Sequence, residues 1–261
     1  MDWIIIALAG FFAGILNAVA GGGSFITLPA LMLVGVPSVV ANATGTAALL
    51  PGYIASAWRF RRDIDYPANL SFFAISVIAL VGGCLGAAIL LLTDDALFST
   101  LIPWLILFAT ASFVVGPWLI KRKIGAAGKT HQSTSAHIKP LTAALVLLAV
   151  CVYGGYFNGG LGIILLAALG LMGQTNLHGM NGLKNIVSAL LTIIAVCVYA
   201  AGGLIAVEHL LLLGIMAILG GYAGAALAYR IPQNVLRIII VMVGLCMAAA
   251  FFFSNISADQ L

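Results

Sequence analysis

The chain is a succession of apolar segments separated by short polar or glycine-rich breaks. A membrane-spanning helix needs roughly 20 apolar residues, and a barrel strand would show alternation with period two. The apolar runs are too long and continuous for strands, so the pattern predicts helices. They lie near residues 3–20, 25–36, 39–58, 68–92, 97–120, 140–158, 160–172, 180–201, 207–229 and 234–254.

Six of these segments are long enough to cross a membrane: 39–58, 68–92, 97–120, 180–201, 207–229 and 234–254. Segments 25–36 and 160–172 are too short, and each follows a glycine-rich break. We therefore predict that both are half-helices inside the membrane. Composition supports the membrane assignment, because 63% of the residues are hydrophobic and only 7% are charged. A soluble domain carries about 25% charged residues.

Motifs recur in the same order in the two parts of the chain, which predicts an internal duplication. A basic, polar linker at 121–139 separates a first transmembrane repeat, 1–120, from a second, 140–261. Each repeat is predicted to contain a glycine-broken hairpin, re-entrant or discontinuous, and three spanning helices. The matching motifs are Gly14-x-x-Asn17 with Gly155-x-x-Asn158, Gly21 with Gly162, Asn42 with Asn181, and Gly83-x-x-Gly86 with Gly221-x-x-Gly224. The last pair is interpreted as helix packing through small residues.

Two topologies are compatible with this pattern. If 3–20 and 140–158 both cross, the chain has eight spans and parallel halves. If 3–36 and 140–172 are re-entrant hairpins, six spans remain and the halves are inverted. The basic clusters around 59–62, 121–139 and 230–237 then face one side. The positive-inside rule favours this second topology, with both termini outside the cytoplasm.

The glycine-rich breaks are candidate anion sites, and we predict that both breaks meet the stretches 42–46 and 181–185 at one anion site in the middle of the membrane. Gly21, Gly22, Gly23 and Ser24 precede the first half-helix, and Gly159, Gly160 and Gly162 stand at the start of the second. A helix N-terminus offers free N–H groups and a positive dipole end. Glycine lets the backbone approach a ligand closely. The alternative is a tightly packed turn without a ligand.

Lys184 is the ionisable residue that lies well inside an apolar segment, and Asn181 and Asn185 share its helix face. A lysine near the bilayer centre is costly, so we interpret it as the counter-charge of an anion. The alternative is that it snorkels to the interface, because its segment starts only a few residues earlier.

Further polar residues inside apolar segments are Asn17, Asn42, Thr44, Thr46 and Asn158. Buried polar groups need partners. We expect Asn42, Thr44, Thr46 and Asn158 to contribute to the site, although bracing of broken helices is the favoured role for both Asn17 and Asn158. Aromatic residues near segment ends are interpreted as an interfacial belt. We find no Ser-His-Asp set, metal cluster or phosphate-loop lysine motif, so we predict no enzyme activity, no cofactor and no metal. The basic clusters are too small to indicate nucleic-acid binding.

The chain resembles the TauE/SafE sulfite exporter family, also called the 4-toluene sulfonate uptake permease family. The resemblance rests on Asn17-Ala-Val-Ala-Gly-Gly-Gly-Ser24, on Ala41-Asn-Ala-Thr-Gly-Thr-Ala-Ala-Leu-Leu-Pro-Gly52, and on Gly159-Gly-Leu-Gly162 and Asn181-Gly-Leu-Lys-Asn185. It implies a multi-pass permease of the bacterial inner membrane for small sulfur-containing anions, driven by an ion gradient. Gly45 stands where the family often has Asn.

The leading hypothesis is a secondary transporter of sulfite or organosulfonates that works by alternating access around a midplane site. The alternatives are a non-transporting membrane assembly or stability factor and a passive anion channel. The expected partners are the anion and membrane lipid. The coupling proton or other ion and a homo-oligomer are left open.

The six-span topology predicts that cysteines placed at both termini react with an external, membrane-impermeant thiol reagent. The measurement uses intact cells and a background in which Cys84, Cys151, Cys197 and Cys246 are replaced. Protection of both termini until the membrane is permeabilised would instead favour eight spans.

Overall fold

A computed structural model describes residues 1–60, 64–127, 139–174, 176–228, 241–242 and 244–252. This part of the chain is helical and contains no β-strand, which confirms the all-α class. The elements in chain order are α1 (Asp2–Ala20), α2 (Ser24–Leu33), α3 (Ser38–Phe60), a 3-10 helix (Pro67–Asn69), α4 (Phe72–Leu91), α5 (Asp95–Ala127), α6 (Pro140–Tyr156), α7 (Leu161–Leu171), α8 (Leu177–Ala201) and α9 (Val207–Ala228). Residues 241–242 and 244–252 are also helical.

Four helices of the described part are long and apolar enough to cross a membrane, within α4, α5, α8 and α9. They correspond to four of the six predicted spans. Helix α3 is not among them, because polar residues such as Asn42 and Thr46 lower the hydropathy of a helix of sufficient length. The last predicted span, 234–254, lies partly outside the described residues. Helices α2 and α7 have only 10 and 11 residues, as the half-helix prediction requires.

The linker differs from the prediction at its start. We expected a solvated connector from residue 121, but α5 continues as a helix to Ala127. Lys, Arg and Ala are good helix formers, and a single Gly costs too little to end a helix that is already formed. Residues 128–138 of the predicted linker lie outside the described part.

Helix α1 packs along α9, and α6 packs along α4 in the same way. Both interfaces depend on glycines. A Cβ at Gly224 would stand 2.6 Å from the Cα of Ile15, and a Cβ at Gly86 would stand 2.6 Å from the amide nitrogen of Tyr156. In lipid, helix association depends on such close packing because the apolar surroundings supply no hydrophobic driving force.

The contacts also show which helices run in the same direction. Along α1 and α9, Gly10 lies beside Leu213 and Ile15 lies beside Gly224. Along α3 and α9, Thr44 bonds to Ala206 just before α9. Further on, Ala48 lies beside Gly214. Because the numbers rise together at each interface, α1, α3 and α9 run in one direction.

The same reasoning groups α4, α6 and α8. Gly82 lies beside Cys151 and Gly86 beside Tyr156, so α4 and α6 run the same way. Gly83 lies beside Leu191, and Leu91 lies beside Gly202, so α8 runs in the same direction as α4. The two groups meet where α3 packs against α8 in the middle of the molecule. Large apolar side chains on the outer faces, including Trp3, Phe73, Trp104 and Leu211, are exposed as lipid contact requires.

The small-residue motif of α9 provides a matched stability test. A Cβ at Gly224 would meet the backbone of Ile15, whereas a Cβ at Gly221 would have its nearest neighbour at 3.9 Å. We expect Gly224→Ala to lower the free energy of unfolding by about 1–3 kcal/mol through overpacking. Gly221→Ala should be neutral or slightly stabilising, since alanine is the better helix former by about 1 kcal/mol. Unfolding of the detergent-solubilised variants measures both. Equal stabilities would contradict this account of the α1–α9 interface.

Candidate functional site

The two glycine-rich breaks contact each other. Gly21 ends α1 with a φ of 78°, and Gly160 precedes α7 with a φ of 73°, both in the left-handed region that favours glycine. A Cβ at Gly21 would lie 2.9 Å from the Cα of Gly162, and a Cβ at Gly162 would lie 3.0 Å from the Cα of Gly21. The two backbones therefore touch, and a side chain at either position would separate them.

Several glycine amides at the two breaks have no acceptor among the described residues, although the Gly21 amide donates to the Asn17 carbonyl at 2.9 Å. Among the described residues, no acceptor bonds to the amides of Gly22, Gly23, Gly159, Gly160 and Gly162, all of which are buried. The first turns of the half-helices have fewer free N–H groups than predicted. Phe25 donates to Gly22, and Leu161 donates to Asn158, each through backbone groups. The free donors are thus the glycine amides themselves, and some of the first-turn amides are satisfied locally.

Lys184 lies against this hinge contact. Its Cδ is 3.3 Å from the position of a Cβ on Gly162, and the residue is only 3% exposed. Snorkelling would have left the ammonium in contact with the interface, so the burial contradicts that alternative. Ser188 and Thr192 are buried and follow Lys184 at intervals of four residues. They extend its polar stripe along α8.

The ammonium has no acidic partner in the part of the chain that the structure describes. The described carboxylates are all exposed and lie at helix starts or in a connection: Asp2, Asp65, Asp94, Asp95 and Glu208. Desolvating a lysine without a counter-charge costs several kcal/mol. A buried lysine that packs against Gly162, whose amide has no acceptor among the described residues, is therefore suited to an anionic ligand.

Two of the predicted site side chains hold the fold together. The Asn42 amide donates to the Tyr156 carbonyl at 2.9 Å, where α6 ends. The Thr44 hydroxyl accepts from the Ala206 amide at 2.9 Å, which fixes the segment before α9. Both residues thus brace chain breaks, although the Asn42 Oδ1 stays unpaired.

The other predicted side chains are distributed around the hinges. Ser24 and Thr46 are buried and their hydroxyls have no partner among the described groups. Asn185 is buried beside Lys184, and Asn181 is half-buried. Asn158 is buried and accepts a hydrogen bond from Tyr53 at 3.0 Å, in agreement with the bracing alternative. Whether any of these residues binds a ligand stays a prediction.

Three tyrosines at the second hinge were not among the predicted site residues. The Tyr153 hydroxyl donates to the Gly159 carbonyl at 2.7 Å, the Tyr199 hydroxyl donates to the Gly155 carbonyl, and Tyr53 bonds to Asn158. We had interpreted aromatic residues near segment ends as an interfacial belt. For these three that interpretation is wrong, because Tyr53 and Tyr199 are fully buried and Tyr153 is half-buried. The one available signal was that Tyr53 shares a helix face with Asn42 and Thr46.

Comparison with known proteins identifies a family over nearly the whole chain. The model of the family described as sulfite exporter TauE/SafE matches residues 6–251. A probable membrane transporter protein of Haemophilus influenzae is 26% identical over 252 residues, which cover 96% of this chain and 94% of the relative. The probable membrane transporter protein YfcA of Escherichia coli is 24% identical over 257 residues, covering 96% of this chain and 90% of the relative. No solved structure matches the chain at a significant level.

The tyrosine bonds at the second hinge can be tested by Tyr153→Phe. The substitution keeps the ring and leaves the Gly159 carbonyl without this donor. A buried acceptor that loses its partner costs about 1–3 kcal/mol of unfolding free energy. Tyr222→Phe is the matched control, since Tyr222 is 85% exposed and should tolerate the same change. Thermal unfolding in detergent measures both variants. If the Tyr153→Phe protein is as stable as the control, the Tyr153 hydroxyl does not stabilise the hinge.

Proposed function

Because the chain belongs to the sulfite exporter TauE/SafE family, we propose that it is a secondary transporter of small sulfur-containing anions such as sulfite or organosulfonates. The relatives that match it nearly end to end are named probable membrane transporters. We propose that transport takes place across the bacterial inner membrane, and the family match and the apolar helices support this localisation. The family's description supplies the sulfur oxyanion, and the site supplies the reason why an anion binds.

One observation carries the proposal. Lys184 is buried beside the contact of Gly21 and Gly162, and the described residues offer it no carboxylate. An anion with several oxygens can accept from the ammonium and from the unpaired glycine amides at once, and hydrogen bonds to charged groups are the stronger ones. A cationic or neutral substrate would leave the ammonium uncompensated.

We further propose that the two halves are inverted repeats. Helices α8 and α9 are joined by residues 202–206 only, and both are long and apolar enough to cross, so they would cross in opposite directions. Helix α1 runs with α9, and α6 runs with α8. Helices α1 and α6, which occupy equivalent places in the two halves, would therefore run in opposite directions.

The directions within the first half support the six-span topology. Helices α1 and α3 run the same way, so α2 must return the chain toward the side from which α1 started. This is the path of a re-entrant hairpin. The two hairpins meet at Gly21 and Gly162, where a rocking motion of one half against the other would expose the site to each side in turn.

We expect Lys184→Met to abolish substrate binding and transport. The variant keeps an unbranched side chain of similar length and removes the positive charge. In a thermal-shift series, sulfite, thiosulfate or sulfoacetate should raise the Tm of the wild-type protein more than carboxylate controls do, because ligand binding stabilises the folded state. Lys184→Met should lose this shift and reduce uptake into proteoliposomes to background. Lys139→Met, at an exposed lysine, should retain both.

The alternatives give different results in the same preparations. An assembly or stability factor would show no shift with any of these anions. A passive channel would show the shift without counterflow, in which preloaded substrate accelerates entry. Full transport by Lys184→Met would show that transport does not require the charge of Lys184.

A further inference from the structure

The two halves differ at one pair of equivalent positions. Gly45 stands three residues after Asn42 on α3, as Lys184 stands three residues after Asn181 on α8. The first half thus has a glycine where the second half has the buried ammonium. If the halves carry the same architecture, the first half lacks a positive charge at this place.

Each of the two positions faces the half-helix of its own half. Lys184 faces the half-helix α7 at Gly162, and Gly45 faces the half-helix α2 at Thr27. A Cβ at Gly45 would lie 2.5 Å from the Oγ1 of Thr27. The hydroxyl of Thr27 therefore lies against the bare backbone of α3, at the position that corresponds to the lysine side chain.

Helices α2 and α3, which pack together at this contact, carry four buried side-chain oxygen atoms that have no hydrogen-bond partner among the described residues. Two lie one turn apart on α2 and two lie one turn apart on α3. Their residues are at most 4% exposed. The atoms are Ser24 Oγ, Thr27 Oγ1, Asn42 Oδ1 and Thr46 Oγ1. We call these four atoms the oxygen cluster.

Exposed helical hydroxyls donate to the carbonyl four residues earlier, as those of Ser76, Thr93, Thr100 and Ser112 do. Buried hydroxyls without a partner also occur singly on α5 at Thr110 and along α8 at Ser188 and Thr192. Helices α2 and α3 contact each other, and both carry such oxygens. The hydroxyls of the oxygen cluster do not take this default bond. Each unpaired buried polar atom costs about 1–3 kcal/mol, so a cluster of them indicates a ligand that the protein groups do not replace.

The chemistry of the cluster selects the ligand. The Asn42 amide nitrogen donates to the Tyr156 carbonyl, so the unpaired atom is its carbonyl oxygen, which has only lone pairs. Such an atom repels an anion. Divalent Mg²⁺ and Ca²⁺ are typically held with the help of carboxylates, and the cluster has none. The C-terminal end of α1, which precedes Ser24 by a few residues, is the negative end of its dipole and has no basic residue in its last turn.

We propose that the oxygen cluster binds a monovalent metal cation, Na⁺ in the first instance. The first half then carries as a bound ion the charge that the second half carries as Lys184. The anion site at the hinge contact would lie between the two positive charges. The inference concerns cation binding alone and does not require that the proposed anion is the substrate.

The test measures cation binding without any sulfur-containing anion. The purified full-length protein in detergent is melted in Na⁺, K⁺ or choline chloride at one ionic strength. We expect a saturable rise of Tm with Na⁺ and little change with choline. Thr27→Val preserves the shape of the side chain and removes one oxygen, so it should weaken the apparent Na⁺ affinity about tenfold or more. Thr110→Val is the control, because Thr110 also has a buried unpaired hydroxyl but lies on α5.

Direct binding of ²²Na⁺ to the wild-type protein provides a second measurement that does not depend on how the variants fold. Saturable binding that excess unlabelled Na⁺ displaces would support the site. Identical melting in the three salts together with absent ²²Na⁺ binding would overturn it. So would an equal loss of the Na⁺ shift in Thr27→Val and Thr110→Val. None of these outcomes bears on Lys184 or on anion binding, so the two proposals fail separately.

Discussion

The arrangement of this protein depends on a contact between two stretches of backbone. Gly21 and Gly162 approach so closely that a methyl group on either would meet the Cα of the other. The contact joins the end of α1 to the start of α7 and thereby connects the two halves at their chain breaks. It also places polar backbone where hydrocarbon is expected. Irregular backbone at membrane depth is tolerated only when protein or a polar cavity surrounds it. The buried, polar surroundings of the two hinges meet that condition.

Small residues also allow close backbone contact at two helix–helix interfaces. The α1–α9 and α4–α6 interfaces depend on glycines at the crossing points, and these two interfaces hold each hairpin against the opposite half. A hairpin cannot rely on hydrophobic burial in lipid, because lipid tails are as apolar as the side chains. Close backbone packing replaces that driving force. The same interfaces align α1 with α9 and α6 with α4.

The two hinges are built differently despite the repeated sequence. Side-chain donors satisfy backbone carbonyls at the second hinge. Tyr153 and Tyr199 donate to two of these carbonyls, and Asn42 of the first half donates to a third. Near the first hinge, hydroxyl and carbonyl oxygens lie buried without such donors. The second half has the ammonium of Lys184, and the first half has Gly45 at the corresponding position. Under the proposed duplication, two similar frames would carry different electrostatic roles.

The sequence by itself determined the membrane class, the helical fold, the half-helices and the hinge glycines with Lys184. These follow from local physics: bilayer thickness sets the length of an apolar span, and glycine runs interrupt it. The sequence could not place the tyrosine hydroxyls, because a hydroxyl's partner depends on which carbonyl another helix leaves free. It could not show that Thr44 braces the segment before α9, that α5 continues to Ala127, or that first-turn amides are partly satisfied. The repeated motifs predicted that the two hinges and Lys184 converge, but only the tertiary structure decided that Gly21 and Gly162 touch and that Lys184 is buried against them, since residues 141 positions apart meet through packing that no local pattern encodes.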